Sequence, residues 1–306
     1  MPAVDTVVVG SGITGLTIAR GLQQRGQRVV VIDKGRRPGG RFSSRLFHGA
    51  LVDTGPLRLP SASLGCLRGA DRRVGLAASA FSVVDGATRW SRPAGDIAAE
   101  WADGLEIRHG RATHVTVTAP GEGAVVRFGD GEELACSTVV LTPPAPQALE
   151  LFRASNLPIP SGLEGAVYDQ RLVLIAWIED LGAAERPCAS EIATIGSTGI
   201  VEDGAVITLV ASAPWSASAW CLDVNVALGD LVLELERMCP GVRLRDAELK
   251  RWRYANPVTS VGAPHASVVS APNILIAGDA FGAEDEQLPG VDRAVRSALS
   301  VLSAIS

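Results

Sequence analysis

Lysine is nearly missing from this 306-residue chain: only two of its 28 basic side chains, Lys34 and Lys250, are lysine, and the rest are arginine. The arginines form no run and no stripe interleaved with aromatics, and the formal net charge is -5, which excludes nucleic acid as the main partner. Cysteine is sparse too. Cys66, Cys136, Cys188, Cys221 and Cys239 are odd in number, widely spaced and without a CxxC, so neither a disulfide framework nor a zinc site is expected, and a reducing cytoplasm is the simplest setting. His48, His109, His114 and His265 show no metal-ligand spacing and no Ser-His-Asp arrangement, so no metal is expected. No apolar run approaches the ~18 residues of a membrane span, and the N-terminus has no basic leader, so a soluble, unexported protein is expected. A hydrophobic content of 47% with 20% charged residues excludes disorder and allows a large core and two domains.

Against these absences stands a complete nucleotide-binding unit at the N-terminus. Val7, Val8 and Val9 form a β-branched run that stops at Gly10-Ser11-Gly12-Ile13-Thr14-Gly15, and a helix-compatible segment, Leu16 to Gln24, follows. Gly26 ends that helix, Val29 to Ile32 form a second apolar run, and Asp33 closes it. This is a βαβ unit with a dinucleotide fingerprint. Gly10 permits the tight turn, Gly12 lets backbone amides approach a pyrophosphate, Gly15 lets the helix pack on the strand, and the helix start at Ile13 and Thr14 faces the anion. Asp33 would accept hydrogen bonds from a ribose diol and repel a 2′-phosphate, which favours FAD or NAD over NADP.

The following residues separate the two cofactors. Asp33-Lys34 through Pro38-Gly39-Gly40-Arg41 and Ser44-Arg45 resembles the start of the flavin amine oxidase superfamily, with its renalase-like branch the nearest match. That resemblance implies non-covalent FAD, with Lys34, Gly39, Gly40 and Arg41 beside the diphosphate and flavin. Asp53-Thr54-Gly55 resembles the D-x-G element of the same superfamily, but Pro56-Leu57-Arg58-Leu59-Pro60 departs from its pattern and the stretch to Trp90 is short, so a changed active-site wall is expected. Gly278-Asp279 resembles the second FAD motif, whose Asp holds the ribityl chain. Gly290-Val291-Asp292 resembles the start of a terminal helix directed at the flavin, although Pro289 stands where the family has a first glycine.

The expected fold is α/β, a discontinuous Rossmann-type FAD-binding domain (1–56, 91–144 and 271–306) with an inserted mixed-sheet α+β substrate domain (57–90 and 145–270). Strands are expected at Leu105 to Ile107, Thr113 to Thr118, Val125 to Phe128, Leu134 to Cys136, Thr138 to Leu141, Leu172 to Ile178, Val206 to Ala211, Leu249 to Tyr254 and Asn273 to Ala277. Helices are expected at Asp96 to Asp103, Val224 to Met238 and Val291 to Ile305, with Gly129-Asp130-Gly131 as a hairpin turn.

Arg251-Trp252-Arg253-Tyr254 resembles a segment of renalase-like proteins. Strand alternation puts Trp252 and Tyr254 on one face, as an aromatic wall beside the flavin or simply as a half-buried strand. Trp177, Trp215 and Trp220 read as core or as pocket aromatics. Many members of the superfamily carry a lysine near flavin N5, and neither Lys34 nor Lys250 sits at the expected place.

The resemblance implies an FAD-dependent oxidoreductase acting on a small molecule. Hydride would pass from a C–H next to nitrogen, in a dihydronicotinamide or amine-like substrate, to flavin N5, with O2 as the electron acceptor. A tailoring oxidase or dehydrogenase of a biosynthetic pathway and a flavin-binding protein without turnover are the alternatives.

Overall fold

The computed structural model describes residues 4–55, 81–84, 87–90, 92–119, 123–180, 189–282 and 290–305. The expected changed wall at Pro56-Leu57-Arg58-Leu59-Pro60, Cys66, Cys188 and Pro289 lie outside these residues.

Apolar runs without alternation predict strands buried on both faces, and the central strands of the larger sheet are built from them. Strands β1 (Val4–Val9) and β2 (Val29–Asp33) flank helix α1 (Ile13–Gln24). Two small hairpins follow, β3 (Ser44–Phe47) with β4 (Ala50–Asp53) and β5 (Phe81–Val84) with β6 (Ala87–Trp90). Next come helix α2 (Ala94–Ala102), strands β7 (Glu106–His109), β8 (Ala112–Ala119), β9 (Gly123–Phe128) and β10 (Glu132–Leu141), and helix α3 (Ala145–Ala154). The chain returns at its far end as β15 (Ala266–Val268), β16 (Ala271–Ile276) and helix α6 (Gly290–Ala304).

The eight-stranded sheet runs β15-β16-β10-β1-β2-β7, with β8 and β9 extending from β10 as an antiparallel meander. Strands β16, β10, β1, β2 and β7 are parallel. Successive residues of these strands feed two cores. Val7, Val9, Val139, Leu141, Ile274 and Ile276 pack with α3 on one side. Val8, Val31, Val140 and Leu275 pack with α1, α2 and α6 on the other. The two short strands expected around Cys136 and Thr138 are one strand, β10: its first half pairs with β9 and its second with β1 and β16.

The second sheet is antiparallel, ordered β12-β13-β11-β14, from β11 (Arg171–Ile178), β12 (Ala193–Val201), β13 (Gly204–Ala211) and β14 (Leu244–Trp252). Helices α4 (Ala213–Ala219) and α5 (Val224–Met238) lie between β13 and β14. Asp223 caps α5 by accepting from the Asn225 N–H, and the buried residues Ala227, Leu231 and Leu235 put one α5 face against Leu172, Leu174, Ile207 and Leu209. On the sheet's other face, Ile175 and Val206 bury Ala50 and Val52 of the β3–β4 hairpin.

One sequence expectation is corrected here. Strand β14 ends at Trp252, paired with Arg171 at the start of β11, so Tyr254 lies in the turn beyond and not on a shared strand face. The ladder stops because the partner strand does: past Arg171 the Asp169 carboxylate takes the Asn256 N–H at 2.8 Å and bends the chain.

Candidate functional site

The carboxyl ends of the parallel strands open into a cavity of about 580 Å³, at the place where open α/β sheets bind ligands. Gly10, at the end of β1, has φ 106°, and a Cβ there would stand 2.6 Å from Thr142 Oγ1. That hydroxyl donates to Val9 O at 2.8 Å, so the end of β10 supports the turn. Gly15 lies beneath it, and a Cβ would stand 1.9 Å from Gly10 O. Gly12 caps α1 with no side-chain hydrogen bond, which leaves the N–H groups of the first turn directed outward. Gly39 bridges to Gly12 and donates its N–H to Ser11 O at 2.7 Å. Gly40, at φ 59°, would bring a Cβ to 3.4 Å from Gly12 Cα. Both glycine segments thus present bare backbone to the same space.

Around this cradle the side chains are fixed. The Asp33 carboxylate accepts from the Ser11 N–H, from Ser11 Oγ at 2.7 Å and from the Gly35 N–H at 2.6 Å. Lys34 Nζ donates to Gln147 Oε1 at 3.0 Å across the mouth. Arg41 Nη1 donates to Asp279 Oδ2 at 2.5 Å and to Ala255 O at 2.9 Å. Burial opposes the Arg41 charge, but the Asp279 carboxylate outweighs it by charge and hydrogen bond and holds the guanidinium above its ordinary range. Tyr168 OH donates to Asp279 Oδ1 at 2.8 Å, and burial, then the Asp279 charge, push its phenol well up. Gly290, which starts α6, would place a Cβ 3.5 Å from Asp279 Oδ2, so this helix N-terminus adjoins the same carboxylate.

The D-x-G element is a bracket. Asp53 accepts from Ser44 Oγ at 2.6 Å and from the Ala94 N–H at 2.7 Å, capping α2. Burial raises this carboxyl against those two hydrogen bonds. Thr54 O accepts the Trp252 indole N–H at 2.6 Å, and a Cβ on Gly55 would stand 1.7 Å from Arg41 O. The aromatic segment is thereby tied to the turn that carries Arg41.

Of the residues singled out in the sequence, Gly10, Gly12, Asp33, Lys34, Gly40, Arg41, Trp252 and Tyr254 line the cavity. Ile13, Thr14, Gly39, Gly278, Asp279, Gly290 and Val291 meet Gly12 and Arg41 around a recess of about 50 Å³. Trp215 and Trp220 pack against the core under α5, and Trp177 stacks on His48 at 4.3 Å. Lys250 holds its ammonium 4.8 Å from the centre of the Trp252 ring. Sequence reasoning missed Tyr168. Its signal was rarity: the chain has two tyrosines, Tyr168 and Tyr254, and their rings meet edge to face with centroids 5.9 Å apart.

Comparison with known proteins places this geometry. The profile of the NAD(P)-binding Rossmann-like domain matches residues 8–65. Over 50 residues the chain is 50% identical to a hydroxyneurosporene desaturase of Rubrivivax gelatinosus, covering 16% of this chain and 10% of that protein. Over 67 residues it is 37% identical to an L-amino-acid oxidase of Siganus canaliculatus, covering 20% and 13%. The matched stretches thus span about a tenth of these relatives' lengths. Among solved structures, cyclohexylamine oxidase from Brevibacterium oxydans is 12% identical with a TM-score of 0.70, covering 99% of both chains. A triple mutant of putrescine oxidase redesigned at its cofactor site is 14% identical with a TM-score of 0.66, covering 99% of this chain and 98% of that one. The chain has the mixed α/β fold of these amine oxidases, Rossmann-like unit included, over nearly its whole length.

Proposed function

We propose that this chain is an FAD-dependent oxidoreductase that holds its cofactor non-covalently. The observation that carries this reading is the continuous lining from Asp33, past the bare backbone of Gly10, Gly12, Gly39 and Gly40, to Arg41 and Asp279. Gly12 and Gly40 leave room that side chains would fill, and the groups suit an extended dinucleotide: the first-turn N–H groups of α1 would donate to a diphosphate, and the carboxylates of Asp33 and Asp279 would accept from the hydroxyls of a ribose and a polyol. When bound, FAD would supply a two-electron acceptor for hydride, with O2 as the final electron acceptor.

The chain's own residues position and exclude. Thr54 O fixes the Trp252 ring, and Tyr254 extends the aromatic wall. Asp279 neutralises Arg41, and the α6 N-terminus beside it offers partial positive charge. Lys34 is engaged by Gln147 and Lys250 by the Trp252 ring, so the ammonium groups are held by the protein. Renalase-like members manage without the lysine that many of the superfamily carry near flavin N5, so an aromatic wall with its lysines engaged elsewhere supports the renalase-like reading, with a dihydronicotinamide or related small molecule oxidised at a C–H next to nitrogen. The four-stranded sheet with α4 and α5 then forms the substrate domain. The free thiols Cys136 and Cys221 fit a reducing cytoplasm, and among the described residues no helix is long and apolar enough to cross a membrane.

The test has two steps. Purified protein should show the absorption band pair of oxidised flavin, released intact on denaturation. Anaerobic mixing with reduced nicotinamides and their isomers should bleach it, and air should restore it. Protein that takes up no flavin when incubated with FAD would refute the reading, and bound flavin that no dihydronicotinamide bleaches would refute the substrate class.

A further inference from the structure

Two chain segments pass between the sheets, one entering β11 through Val167 to Gln170 and one leaving β14 through Arg253 to Val258. They are zipped together. Ala255 N–H donates to Asp169 O at 3.0 Å, Asp169 N–H to Asn256 O at 2.9 Å and Val258 N–H to Val167 O at 2.7 Å, with Tyr168 opposite Pro257. The Asp169 carboxylate braces the pair by accepting from the Asn256 N–H and from Arg171 Nη2, each at 2.8 Å.

Three groups tie this ribbon to the larger sheet. Arg41 Nη1 donates to Ala255 O at 2.9 Å, Arg293 Nη2 donates to Pro257 O at 3.1 Å, and Tyr168 OH donates to Asp279 Oδ1 at 2.8 Å. Two of the three ties involve Arg41 or Asp279, which also line the recess assigned to the cofactor. The Tyr168 ring continues the linkage: Arg41 Cζ lies 5.6 Å from its centroid on one side, and Tyr254 meets it edge to face. Tyr254 and Trp252 line the cavity.

We propose that Tyr168 is a positioning residue: by donating its hydroxyl to Asp279 it fixes the paired crossing segments, and with them the Tyr254 and Trp252 wall, relative to the bound cofactor. The proposal rests on the FAD reading for what the wall faces, but its mechanical part does not. Tyr168→Phe keeps the ring contacts with Arg41 and Tyr254 and removes only the hydroxyl, while Asp279 keeps its bond to Arg41.

Hydrogen exchange on the purified protein as isolated is the first readout. Tyr168→Phe should speed exchange at the Ala255 and Val258 amides roughly tenfold or more, the factor a hydrogen bond to a charged carboxylate contributes, and leave Val8 and Val31 in the central strands at the wild-type rate. Unchanged exchange at Ala255 and Val258, or equal acceleration at Val8 and Val31, would overturn the proposal, the second because the residue would then be merely structural. Fluorescence of the bound flavin is the second readout, since nearby tyrosine and tryptophan rings quench it. At equal FAD stoichiometry the variant should fluoresce more brightly than wild type, and equal brightness would overturn the positioning of the wall. Should wild type bind no flavin, the FAD reading fails, and the exchange measurement still decides the role of Tyr168.

Discussion

The two sheets contribute to one cavity by different means. The parallel sheet contributes backbone: Gly10, Gly12 and Gly40 line the cavity, and what matters at each position is the absence of a side chain. The antiparallel sheet contributes side chains: Trp252 at the end of β14 and Tyr254 in the turn beyond it, held by single hydrogen bonds and ring contacts. A site built from backbone tolerates almost no substitution yet says little about substrate, because any dinucleotide fold uses it. A site built from side chains is cheap to vary, and that is where specificity is set.

Substitutions should separate the two behaviours. The largest effect is expected at Gly15→Val. Its Cβ would meet Gly10 O at 1.9 Å, and backbone cannot rotate aside as a side chain can, so the loss should exceed the roughly 1–3 kcal/mol of ordinary overpacking. Denaturant unfolding and flavin content should fall together; a stable, flavin-loaded Gly15→Val protein would break the contrast. Next is Asp279→Ala, which leaves the half-buried Arg41 without its carboxylate. Removing one partner of a buried pair costs about 3–5 kcal/mol, so a marked drop in Tm and weak FAD retention are expected.

Trp252→Phe should do less. It keeps an aromatic wall and loses the bond to Thr54 O, about 1 kcal/mol, so the protein should fold and bind FAD while flavin reduction slows in stopped flow. Loss of stability with an unchanged reduction rate would make Trp252 a core residue. The smallest effect belongs to the exposed clasp at the hairpin tip, where His48 Nε2 lies 2.6 Å from Asp246 Oδ2. The hydrogen bond to His48 lowers the Asp246 pKa, against slight burial. A depressed carboxylate contributes stability above its unfolded value of 3.8 and loses it as pH falls through the lower folded value. Asp246→Asn should therefore cost at most about 1 kcal/mol near neutrality, and the gap should close in strong acid; unfolding curves across pH check this.

How much of this was legible in the sequence follows the same division. The β1–α1–β2 unit and the α5 helix could be read directly, because β-branched runs, glycine turns and helical periodicity are local signals. The β3–β4 hairpin was not foreseen: Arg45, Leu46 and His48 give no alternation, and its apolar contacts, Ala50 and Val52, bury against a sheet more than a hundred residues away. The first half of β14 was hidden because Asp246 and Glu248 put charge on the face toward the hairpin, where His48 and Arg45 meet it. Tyr168 sits outside any strand or helix, and its importance comes from Asp279 at a separation of 111 residues. Contacts of that kind leave no local pattern.

Strand β16 and Asp279 follow Arg41 by most of the chain, and the bond that joins them spans 238 positions. At about 5–20 residues per second the ribosome takes roughly 10 to 50 s to cross that interval. During this time the glycine cradle exists without the carboxylate that neutralises Arg41, and β10 has no neighbour on its β16 side. On the FAD reading, capture of the cofactor therefore waits for Asp279 to emerge, and nascent chains that stall before Ile274 expose a hydrophobic strand edge to the cell's quality control.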